Sequence, residues 1–383
     1  MIKEVEFYNE FFLEDRSVNH RLKDIFNDHW ENFLNDNPDI NIRPVVLTEV
    51  DKMMSCRTAQ LGYSLYECPD CGETKFCFHT CKSRFCPSCG NKYALKRAES
   101  ILQKCYKCKH RHIVFTISDI LWPLFRKDRK LLDLLFEAAS KTILSWFKDK
   151  NKKENYIPGI IAVLHTYGRD MKWNPHIHTI VTEGGIGNNT VFKKFDFISY
   201  DALRKRFQKI LLDLLEKKLG KKKFKNIKNS IYLKSNKGFY VYAKKNNSKN
   251  VSTKDMIQYA IRYTGKPAMA ESRILDYDGE YVTFWYQRHE DDQFVTERIH
   301  VYDFFKRLII HIPEQNFKTV RYYGIYSKKH KFHDKMVMLI QSPIKKIRDS
   351  LISWRLLILK DFGIDPLDCP NCGTTMVWQF RVC

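Results

Sequence analysis

The stretch Trp173-Asn174-Pro175-His176-Ile177-His178 decides how the chain is organised. Successive side chains of a β-strand point to opposite faces, so His176 and His178 lie on the same face, about 7 Å apart. Pro175 stands near the start of this segment, where a strand tolerates a missing N–H. Two imidazoles at this separation suit one metal ion, and the stretch therefore predicts a metal site on the face of a β-sheet.

A second stretch, Tyr259-Ala260-Ile261-Arg262-Tyr263, follows about 80 residues later in a segment with helical spacing that ends at Gly265. Residues four apart on a helix share a face, so Tyr259 and Tyr263 present two phenol hydroxyls to one point. Taken alone, two tyrosines at this spacing are more often core residues. Together with a metal ion that polarises a phosphate, they predict a site for DNA strand transfer.

A third histidine belongs to the strand predicted at residues 160–167, which a polar turn joins to the histidine stretch. Directly paired residues of an antiparallel hairpin lie on the same face, so His165 joins the site if it pairs with His176 or His178. A slip by one residue places His165 on the other face. We predict His165 as the third metal ligand, with a carboxylate or amide such as Gln258 as the alternative.

The composition points to a nucleic acid partner. The chain of 383 residues has 66 Lys and Arg against 44 Asp and Glu, a formal net charge of +22. Because the basic residues are interleaved with aromatic ones, we expect DNA or RNA and not an anionic membrane. No apolar run approaches the ~18 residues of a spanning helix, and the first residues lack the pattern of a signal peptide. We expect a cytoplasmic protein whose 12 cysteines are metal ligands and not disulfides.

Two Cys-Pro-x-Cys-Gly turns, at residues 68–72 and 86–90, have 14 residues between their inner cysteines. Two such pairs supply four thiolates for tetrahedral zinc, and the glycine after each pair lets the turn close. This pattern predicts a structural zinc site in a zinc-ribbon-like module. The predicted ligands of this zinc are Cys68, Cys71, Cys86 and Cys89.

Other cysteines leave room for a second zinc ion. Cys56 and Cys81 belong to the same segment, and we assign them to structural zinc as well, with Cys77 and His79 as further candidates. The ligands of the two zinc ions could interleave along this segment. A third turn of this type contains Cys369 and Cys372. This distant pair could complete another zinc site with Cys105 and Cys108.

The chain divides into four predicted segments. They are a helical lead-in at 1–50, a zinc-binding DNA-binding module at 51–108, the histidine- and tyrosine-bearing domain at 109–330 and a basic C-terminal tail at 331–383. Within the third segment we predict a strand at 112–117, helices at 121–147 and 202–219, a basic helical insertion at about 201–228 and a hairpin over 231–242.

Several basic residues are candidates for DNA contacts. A run of lysines is usually a solvated surface. In a chain with this net positive charge, however, contact with the phosphate backbone of DNA is the more specific interpretation. The predicted DNA-binding residues are Arg84, Lys172, Lys221, Lys222, Lys223, Arg262 and Arg321.

These motifs together resemble the insertion sequence 91 family of bacterial transposases, over about residues 50–330 and in the family's order. Its zinc-binding module is matched by Cys56-Arg57-Thr58, Leu61-Gly62-Tyr63, Cys68-Pro69, Cys71-Gly72, Cys81, Arg84, Cys86-Pro87 and Cys89. Its histidine–hydrophobic–histidine (HUH) segment is matched by residues 165–170, 174–178 and 182–185. Its two-tyrosine helix is matched by residues 259–268, and its later signature by Arg321-Tyr322-Tyr323-Gly324.

The resemblance implies a single-strand DNA endonuclease and transferase that moves its element by a rolling-circle-like route. The implied fold is α+β, an HUH endonuclease-type antiparallel sheet flanked by helices. His176, His178 and His165 would hold a catalytic Mg²⁺ or Mn²⁺, and Tyr259 or Tyr263 would leave a 5′-phosphotyrosine and a free 3′-OH. The implied partner is single-stranded DNA at the element ends and target, in the bacterial cytoplasm at the nucleoid.

Two other functions are compatible with these residues. A rolling-circle replication initiator or relaxase uses the same chemistry. A non-catalytic zinc-dependent DNA-binding regulator needs only the cysteine-rich module and the basic surface.

Overall fold

The computed structural model describes residues 22–102, 104–106, 108–150, 152–188, 191–195, 199–242, 268–288, 291–330, 355 and 365–382. The chain forms two compact units, one of residues 1–93, 266–314 and 341–383 and one of residues 94–265 and 315–340. We call the first the cysteine unit and the second the histidine unit, after the side chains that they carry.

The described part of the chain contains eight α-helices and thirteen strands. The helices are α1 (Leu22–Asp36), α2 (Pro44–Met54), α3 (Pro87–Leu102), α4 (Trp122–Lys127), α5 (Leu132–Lys150), α6 (Tyr200–Leu219), α7 (Lys221–Lys234) and α8 (Val301–Ile309). The strands are β1 (Tyr63–Glu67), β2 (Thr74–Phe78), β3 (His110–Thr116), β4 (Gly159–Tyr167), β5 (Trp173–Thr182), β6 (Gly184–Ile186), β7 (Phe192–Lys194), β8 (Val241–Tyr242), β9 (Ile274–Tyr277), β10 (Tyr281–Gln287), β11 (Phe294–His300), β12 (Val320–Gly324) and β13 (Val377–Val382).

The histidine unit is built on a five-stranded antiparallel sheet with the strand order β12-β4-β5-β3-β8. Its interior strand β4 is rich in β-branched and apolar side chains, and it is buried from Gly159 to Thr166. Such a run is typical of a strand that is covered on both faces. The predicted α+β class is confirmed, since helices flank an antiparallel sheet.

One face of this sheet is covered by α5 and α6. Helix α5 packs on β4 and β5, and Phe207 of α6 meets Phe115 of β3 with the ring centres 4.9 Å apart. The helix predicted at 202–219 is present as α6, and its buried residues include Leu203, Leu211 and Leu215. This face therefore forms the main core of the histidine unit.

The opposite face of the sheet changes character along the strands. At one end, Ile161, Val163 and Ile180 form an apolar cluster with Ile101 of α3 and Tyr326. Farther along β4 and β5, the positions on this face are occupied by histidines. The sheet thus keeps one end of this face apolar and presents imidazoles at the other.

The Arg321-Tyr322-Tyr323-Gly324 stretch forms edge strand β12 and enters the turn that follows. Gly324 has a φ of +59°, and a Cβ atom there would collide with the carbonyl oxygen of Pro158. The turn places Tyr326 in the core, where its hydroxyl lies 2.6 Å from Nε2 of His110. Burial lowers the pKa of His110 to about 4, so a neutral ring meets this hydroxyl at pH 7.

The core of the cysteine unit lies between α1 and α8. Phe26 of α1 and Phe305 of α8 have ring centres 4.1 Å apart, and Trp30 and Phe33 are buried beside them. Within the predicted lead-in, Leu22–Asp36 forms helix α1. The unit also carries two three-stranded sheets, with the orders β11-β10-β9 and β13-β1-β2.

The predicted hairpin over 231–242 is wrong in its first half. Residues 231–234 end helix α7, and only Val241–Tyr242 is a strand. Phe224 and Ile231, seven residues apart, are the buried residues of α7, which is helical spacing. Lys228 also bridges to Asp213 and Glu216 of α6. Packing of α7 on α6 therefore overrides the local strand preference, and the basic insertion extends to residue 234.

Over the residues that the structure describes, no helix combines the length and the apolarity needed to span a membrane.

We expect Gly324→Ala to lower the free energy of unfolding by at least about 2 kcal/mol, because it adds a steric collision to the strain of a positive φ. Chemical denaturation of the purified chain measures this. Gly220→Ala is the matched control, since Gly220 lies in the same unit at a φ of +90° with no atom within 4 Å of the added Cβ. The control lacks the collision and should cost less than Gly324→Ala, about 1–3 kcal/mol from its positive φ alone, and equal losses in both variants would contradict the role given to the Pro158 contact.

Candidate active site and metal centres

Three histidines meet on the sheet face of the histidine unit. His165 of β4 pairs with His176 of β5, and His178 pairs with Val163. Because directly paired residues share a face, all three imidazoles stand on the same side of the hairpin. The hairpin therefore has the register predicted from the sequence, in which His165 shares a face with His176 and His178.

The distances between the three rings suit a shared ion. Their nearest ligand nitrogens all lie within 4.8 Å of one another, and Nε2 of His176 is 2.9 Å from Nε2 of His178. Neighbouring ligands about 2.1 Å from an octahedral ion are about 3 Å apart, so this pair fits adjacent positions. Nδ1 of His176 lies 2.7 Å from the carbonyl oxygen of Asn174, which accepts its proton. In this tautomer Nε2 carries the lone pair that can bind an ion.

His165 is the most enclosed of the three ligand candidates, with 5% of its surface exposed. Its ring is stacked on Tyr167 with the planes 7° apart, and its centre lies 4.4 Å from that of His178. These contacts restrict the orientation of the ring before any ion binds.

A fourth histidine, His112 of β3, contacts the site from the neighbouring strand. Its Nε2 lies 2.8 Å from Nδ1 of His178, and the two rings are parallel within 4°. Burial and the nearby His176 lower the pKa of His112 to about 4, so the ring is neutral at pH 7. A neutral imidazole can share one proton with Nδ1 of His178 and thereby hold Nε2 of His178 toward His176.

The role of His112 was not predicted from the sequence. The signal was present, since His110 and His112 are also two residues apart on a strand. The spacing alone does not show which of the two histidines contacts the metal site. In the structure His110 contacts Tyr326, whereas His112 contacts His178.

The histidine face extends across β3 to two exposed tyrosines, Tyr242 of the edge strand β8 and Tyr240 just before that strand. Tyr242 pairs with Val114, which in turn pairs with His178. One step along, the amide of Thr116, the partner of His176, donates to the carbonyl oxygen of Tyr240 at 2.9 Å. The two tyrosines therefore share the face of the histidines, about two strand spacings of ~4.8 Å away from β5.

These two tyrosines form a parallel pair that faces solvent. Tyr240 and Tyr242 are 56% and 47% exposed, and their ring planes are 7° apart with the centres separated by 6.3 Å. The guanidinium of Arg204 lies 5.6 Å from the centre of the Tyr240 ring. The sheet edge thus presents flat aromatic surfaces beside a cation.

The residues Gln258, Tyr259, Arg262 and Tyr263 lie outside the described residues. Their predicted roles stay predictions.

Among the described residues, eight cysteines form two clusters of four, both in the cysteine unit. The first contains Cys56, Cys81, Cys86 and Cys89, and the second contains Cys68, Cys71, Cys369 and Cys372. The predicted grouping of Cys68 and Cys71 with Cys86 and Cys89 around one ion is therefore wrong. The predicted meeting of Cys369 and Cys372 with Cys105 and Cys108 is wrong as well.

The first cluster is built around the start of α3. Sγ of Cys89 lies 3.7 Å from Sγ of Cys56 and 3.6 Å from Sγ of Cys81. Cys86 immediately precedes Pro87, the first residue of the helix, so this Cys-Pro-x-Cys turn continues into α3. Hydrogen bonds within the cluster lower the pKa of Cys56 and Cys89 and raise that of Cys81 and Cys86, so the four thiols share protons and two of them are favoured as thiolates.

The other zinc candidates have different surroundings. His79 contacts the carbonyl oxygen of Leu61 and the hydroxyl of Ser64 through its two ring nitrogens. Cys77 lies in β2, opposite Ser64 of β1. Neither residue belongs to a described cluster of metal-ligating side chains.

The predicted DNA contacts differ in their exposure. Lys172 and the three lysines at the start of α7 are exposed. The guanidinium of Arg321 forms an ion pair with Asp133 and lies 4.2 Å from the centre of the Phe136 ring. These contacts within the protein already occupy the group that was predicted to contact DNA. The guanidinium of Arg84 lies 5.7 Å from the centre of the Tyr93 ring.

Two family models match the chain. The one described as "Transposase zinc-binding domain" matches residues 25–117. The one described as "Putative transposase" matches residues 159–333, which include His165, His176, His178 and both tyrosines of the predicted helix. The zinc-binding domain and the cysteine clusters support structural Zn²⁺.

Two relatives are similar along much of the chain, whereas no solved structure matches it. The "Transposase for insertion sequence element IS801" of Pseudomonas savastanoi pv. phaseolicola is 29% identical over 383 residues, covering 94% of this chain and 90% of the relative. The "Putative transposase y4qJ" of Sinorhizobium fredii is 26% identical over 295 residues, covering 72% of this chain and 73% of the relative. The two family models together match more than half of the sequence, and the chain therefore belongs to the transposases of the insertion sequence 91 family.

Proposed function

We propose that this transposase nicks and rejoins single-stranded DNA through a 5′-phosphotyrosine intermediate, in rolling-circle-like transposition. Membership of a transposase family implies an enzyme that cleaves DNA. The main support for this mechanism is a candidate metal site on one sheet face. It consists of His165, His176 and His178, whose ligand atoms lie within 4.8 Å of one another. The protein would act on DNA in the bacterial cytoplasm, at the nucleoid.

The three imidazoles would hold a Mn²⁺ or Mg²⁺ ion. Imidazole nitrogen suits Mn²⁺ better than Mg²⁺, whereas Mg²⁺ is favoured by its abundance. When bound, the ion would stabilise charge on the oxygens of the scissile phosphate and orient that group for in-line attack. The contacts of His176 with Asn174 and of His178 with His112 support this role, since they orient the ligand nitrogens in advance.

Tyr259 or Tyr263 would supply the nucleophile. The phenol oxygen forms a bond to phosphorus while the bond from phosphorus to the 3′ oxygen breaks. The phenol gives up its proton, and the leaving oxygen takes one up to become a free 3′-OH. The energy of the phosphodiester bond is retained in the phosphotyrosine, so a 3′-OH can later reverse the step without ATP. A second tyrosine permits a second cleavage while the first still holds DNA.

The aromatic sheet edge supports single-stranded DNA as the substrate. Unpaired bases stack on aromatic side chains, and each such contact is worth about 1–3 kcal/mol. Tyr240 and Tyr242 lie on the face that carries the histidines, and Arg204 supplies a positive charge beside them. We propose that bases next to the scissile phosphate stack on this pair.

The first cysteine cluster would hold a structural zinc ion. Its sulfurs are close to the roughly 3.8 Å that separates four thiolates around tetrahedral zinc. Cys56, Cys81, Cys86 and Cys89 all lie within the matched zinc-binding domain. Bound zinc would join the segment around Cys56 to the start of α3.

A covalent adduct with DNA tests the reaction class. We expect labelled single-stranded oligonucleotides from the element ends to form a denaturant-stable protein–DNA adduct with Mn²⁺ or Mg²⁺. Adduct formation should be lost in the Tyr259→Phe/Tyr263→Phe double variant, because no phenol is left to attack. Gel electrophoresis under denaturing conditions detects the adduct.

Tyr232→Phe, in the exposed part of α7, is the matched control and should form the adduct as wild type does. Wild-type protein that binds DNA but forms no adduct on any end sequence with either ion would exclude the proposed chemistry. That result would favour a non-catalytic zinc-dependent regulator.

Removing the two exposed tyrosines should weaken binding of single-stranded DNA. We expect Tyr240→Ala/Tyr242→Ala to raise the Kd by about 10- to 100-fold, because one or two stacking contacts are lost. Fluorescence anisotropy with a labelled oligonucleotide measures this. Phe294→Ala removes another exposed aromatic side chain, on a different sheet, and should leave the Kd unchanged. An equal effect on double-stranded DNA would contradict a base-stacking role.

His112 should act as a positioning residue for the metal site. We expect His112→Ala to raise the Mn²⁺ concentration for half-maximal adduct formation by about 10- to 100-fold, with little change at saturating Mn²⁺. Titration of adduct yield against Mn²⁺ measures this, and His112→Gln should recover part of the affinity through its amide.

His110→Asn is the control from the same strand and face, and it should leave the Mn²⁺ dependence as in wild type. A loss of adduct in His112→Ala that no Mn²⁺ concentration restores would argue against a role limited to positioning.

A further inference from the structure

The Cys-Pro-x-Cys-Gly turn at residues 369–373 lies far outside the matched zinc-binding domain, which ends at residue 117. The proposed strand-transfer chemistry gives this turn no role. In the fold, Cys369 and Cys372 meet Cys68 and Cys71, about 300 residues earlier in the chain.

The two turns have the same backbone hydrogen bonds. In the first, the amide of Cys68 donates to the carbonyl of Glu73 at 2.8 Å, and the amide of Gly72 donates to that of Cys68 at 3.0 Å. In the second, the equivalent bonds, from the amides of Cys369 and Gly373, are both 2.9 Å long. The glycines have φ values of +72° and +75°, a conformation that favours glycine. Both turns therefore have the shape of a zinc knuckle.

The four sulfurs are spaced as ligands and not as disulfides. Sγ of Cys68 lies 3.4 Å from Sγ of Cys372, and Sγ of Cys71 lies 3.5 Å from Cys369 and 3.6 Å from Cys372. A disulfide requires about 2.05 Å, whereas four thiolates about 2.3 Å from a tetrahedral ion are roughly 3.8 Å apart. The cluster is thus close to the geometry of a four-thiolate metal site.

Polar contacts join the two knuckles reciprocally. The amide group of Asn371 donates to a carboxylate oxygen of Glu73 at 2.9 Å. The hydroxyl of Thr374 donates to a carboxylate oxygen of Asp70 at 2.6 Å. Each knuckle thus uses side chains next to its cysteines to contact the other, which aligns the two pairs of thiols.

The sheet next to the knuckles has little apolar core of its own. Strand β13 pairs antiparallel with β1, which also pairs with β2. All six residues of β13 are exposed, and the buried cluster at this end consists of Cys68, Cys369 and Met376, with Tyr66 packed against it. Burial of so few apolar side chains contributes little to the ordering of a terminal strand, so another interaction has to hold it.

We propose that Cys68, Cys71, Cys369 and Cys372 bind a second structural zinc ion, which completes a zinc ribbon assembled from both ends of the chain. The N-terminal half supplies one knuckle with β1 and β2, and the C-terminal half supplies the other knuckle with β13. The bound ion closes a loop of about 300 residues and holds β13 in the sheet. The C-terminal segment is thus part of the zinc module.

Zinc content of the full-length protein tests this site without DNA, so the result is independent of the proposed strand-transfer chemistry. We expect about two zinc ions per wild-type chain and about one in Cys369→Ser/Cys372→Ser, because two ligands cannot retain the ion tightly. Cys68→Ser/Cys71→Ser should also retain about one. The quadruple variant should retain about one as well, since both pairs bind the same ion. Elemental analysis by mass spectrometry provides the count.

Cys105→Ser/Cys108→Ser is the matched control, since this pair lies outside both clusters, and it should retain two zinc ions. The proposal is overturned if Cys369→Ser/Cys372→Ser retains two, or if the quadruple variant holds less zinc than either double variant. One equivalent of iron in place of the second zinc would overturn the choice of metal, because a four-sulfur site also accepts iron.

Thiol alkylation of the wild-type protein gives a second measurement, which does not require a variant to fold. Cys71 and Cys372 are exposed in the structure and would react readily as free thiols. We expect both to be protected in the zinc-loaded protein and to become reactive together with Cys68 and Cys369 when a chelator removes the metal. Rapid alkylation of Cys372 in the zinc-loaded protein would contradict the site.

Discussion

The antiparallel register of β3, β4 and β5 is the constraint on which the candidate active site depends. It places His165 beside His176, and His178 in the next row. A shift of one residue in either strand would turn an imidazole into the opposite face, where α5 and α6 form the main core. The apolar residues Ile161 and Ile180, which share the histidine face, oppose such a shift because it would move them out of their cluster.

The same register extends the site beyond the ligand candidates. Across β3 it brings His112 to His178, and at β8 it brings Tyr240 and Tyr242 onto the histidine face. One sheet face thus carries the metal ligands, a side chain that orients one of them and an aromatic surface for bases. Rigid strands hold such a set more accurately than loops do, because ladder hydrogen bonds limit the movement of each side chain.

The cysteine unit shows a different way of joining distant segments. Its strand β13 comes from the C-terminal end of the chain and completes the sheet of β1 and β2. Three Cys-Pro-x-Cys-Gly turns in the sequence look alike, yet only two are knuckles in the structure. The turn at residues 86–90 differs from the other two, because Pro87 begins helix α3 and the turn continues as a helix.

Local patterns in the sequence predicted several features correctly. They include the strand period that places His176 and His178 on one face, the helix at 202–219 and the abundance of zinc ligands. These features depend on residues close together in the chain, whose spacing determines which side chains share a face. Residues 231–233 were misassigned because their β-branched and aromatic character favours a strand, whereas burial of Ile231 against α6 requires a helix.

The sequence by itself thus determined the chemistry available to this transposase: paired histidines, paired tyrosines, a basic surface and cysteine pairs. Only the tertiary structure decided which of these side chains meet. The pairing of Cys68 and Cys71 with Cys369 and Cys372 and the contact of His112 with His178 join residues 66 to about 300 positions apart. Spacing along the chain carries no information on such contacts, because they arise from strand pairing between segments whose separation in sequence is unrelated to their distance in space.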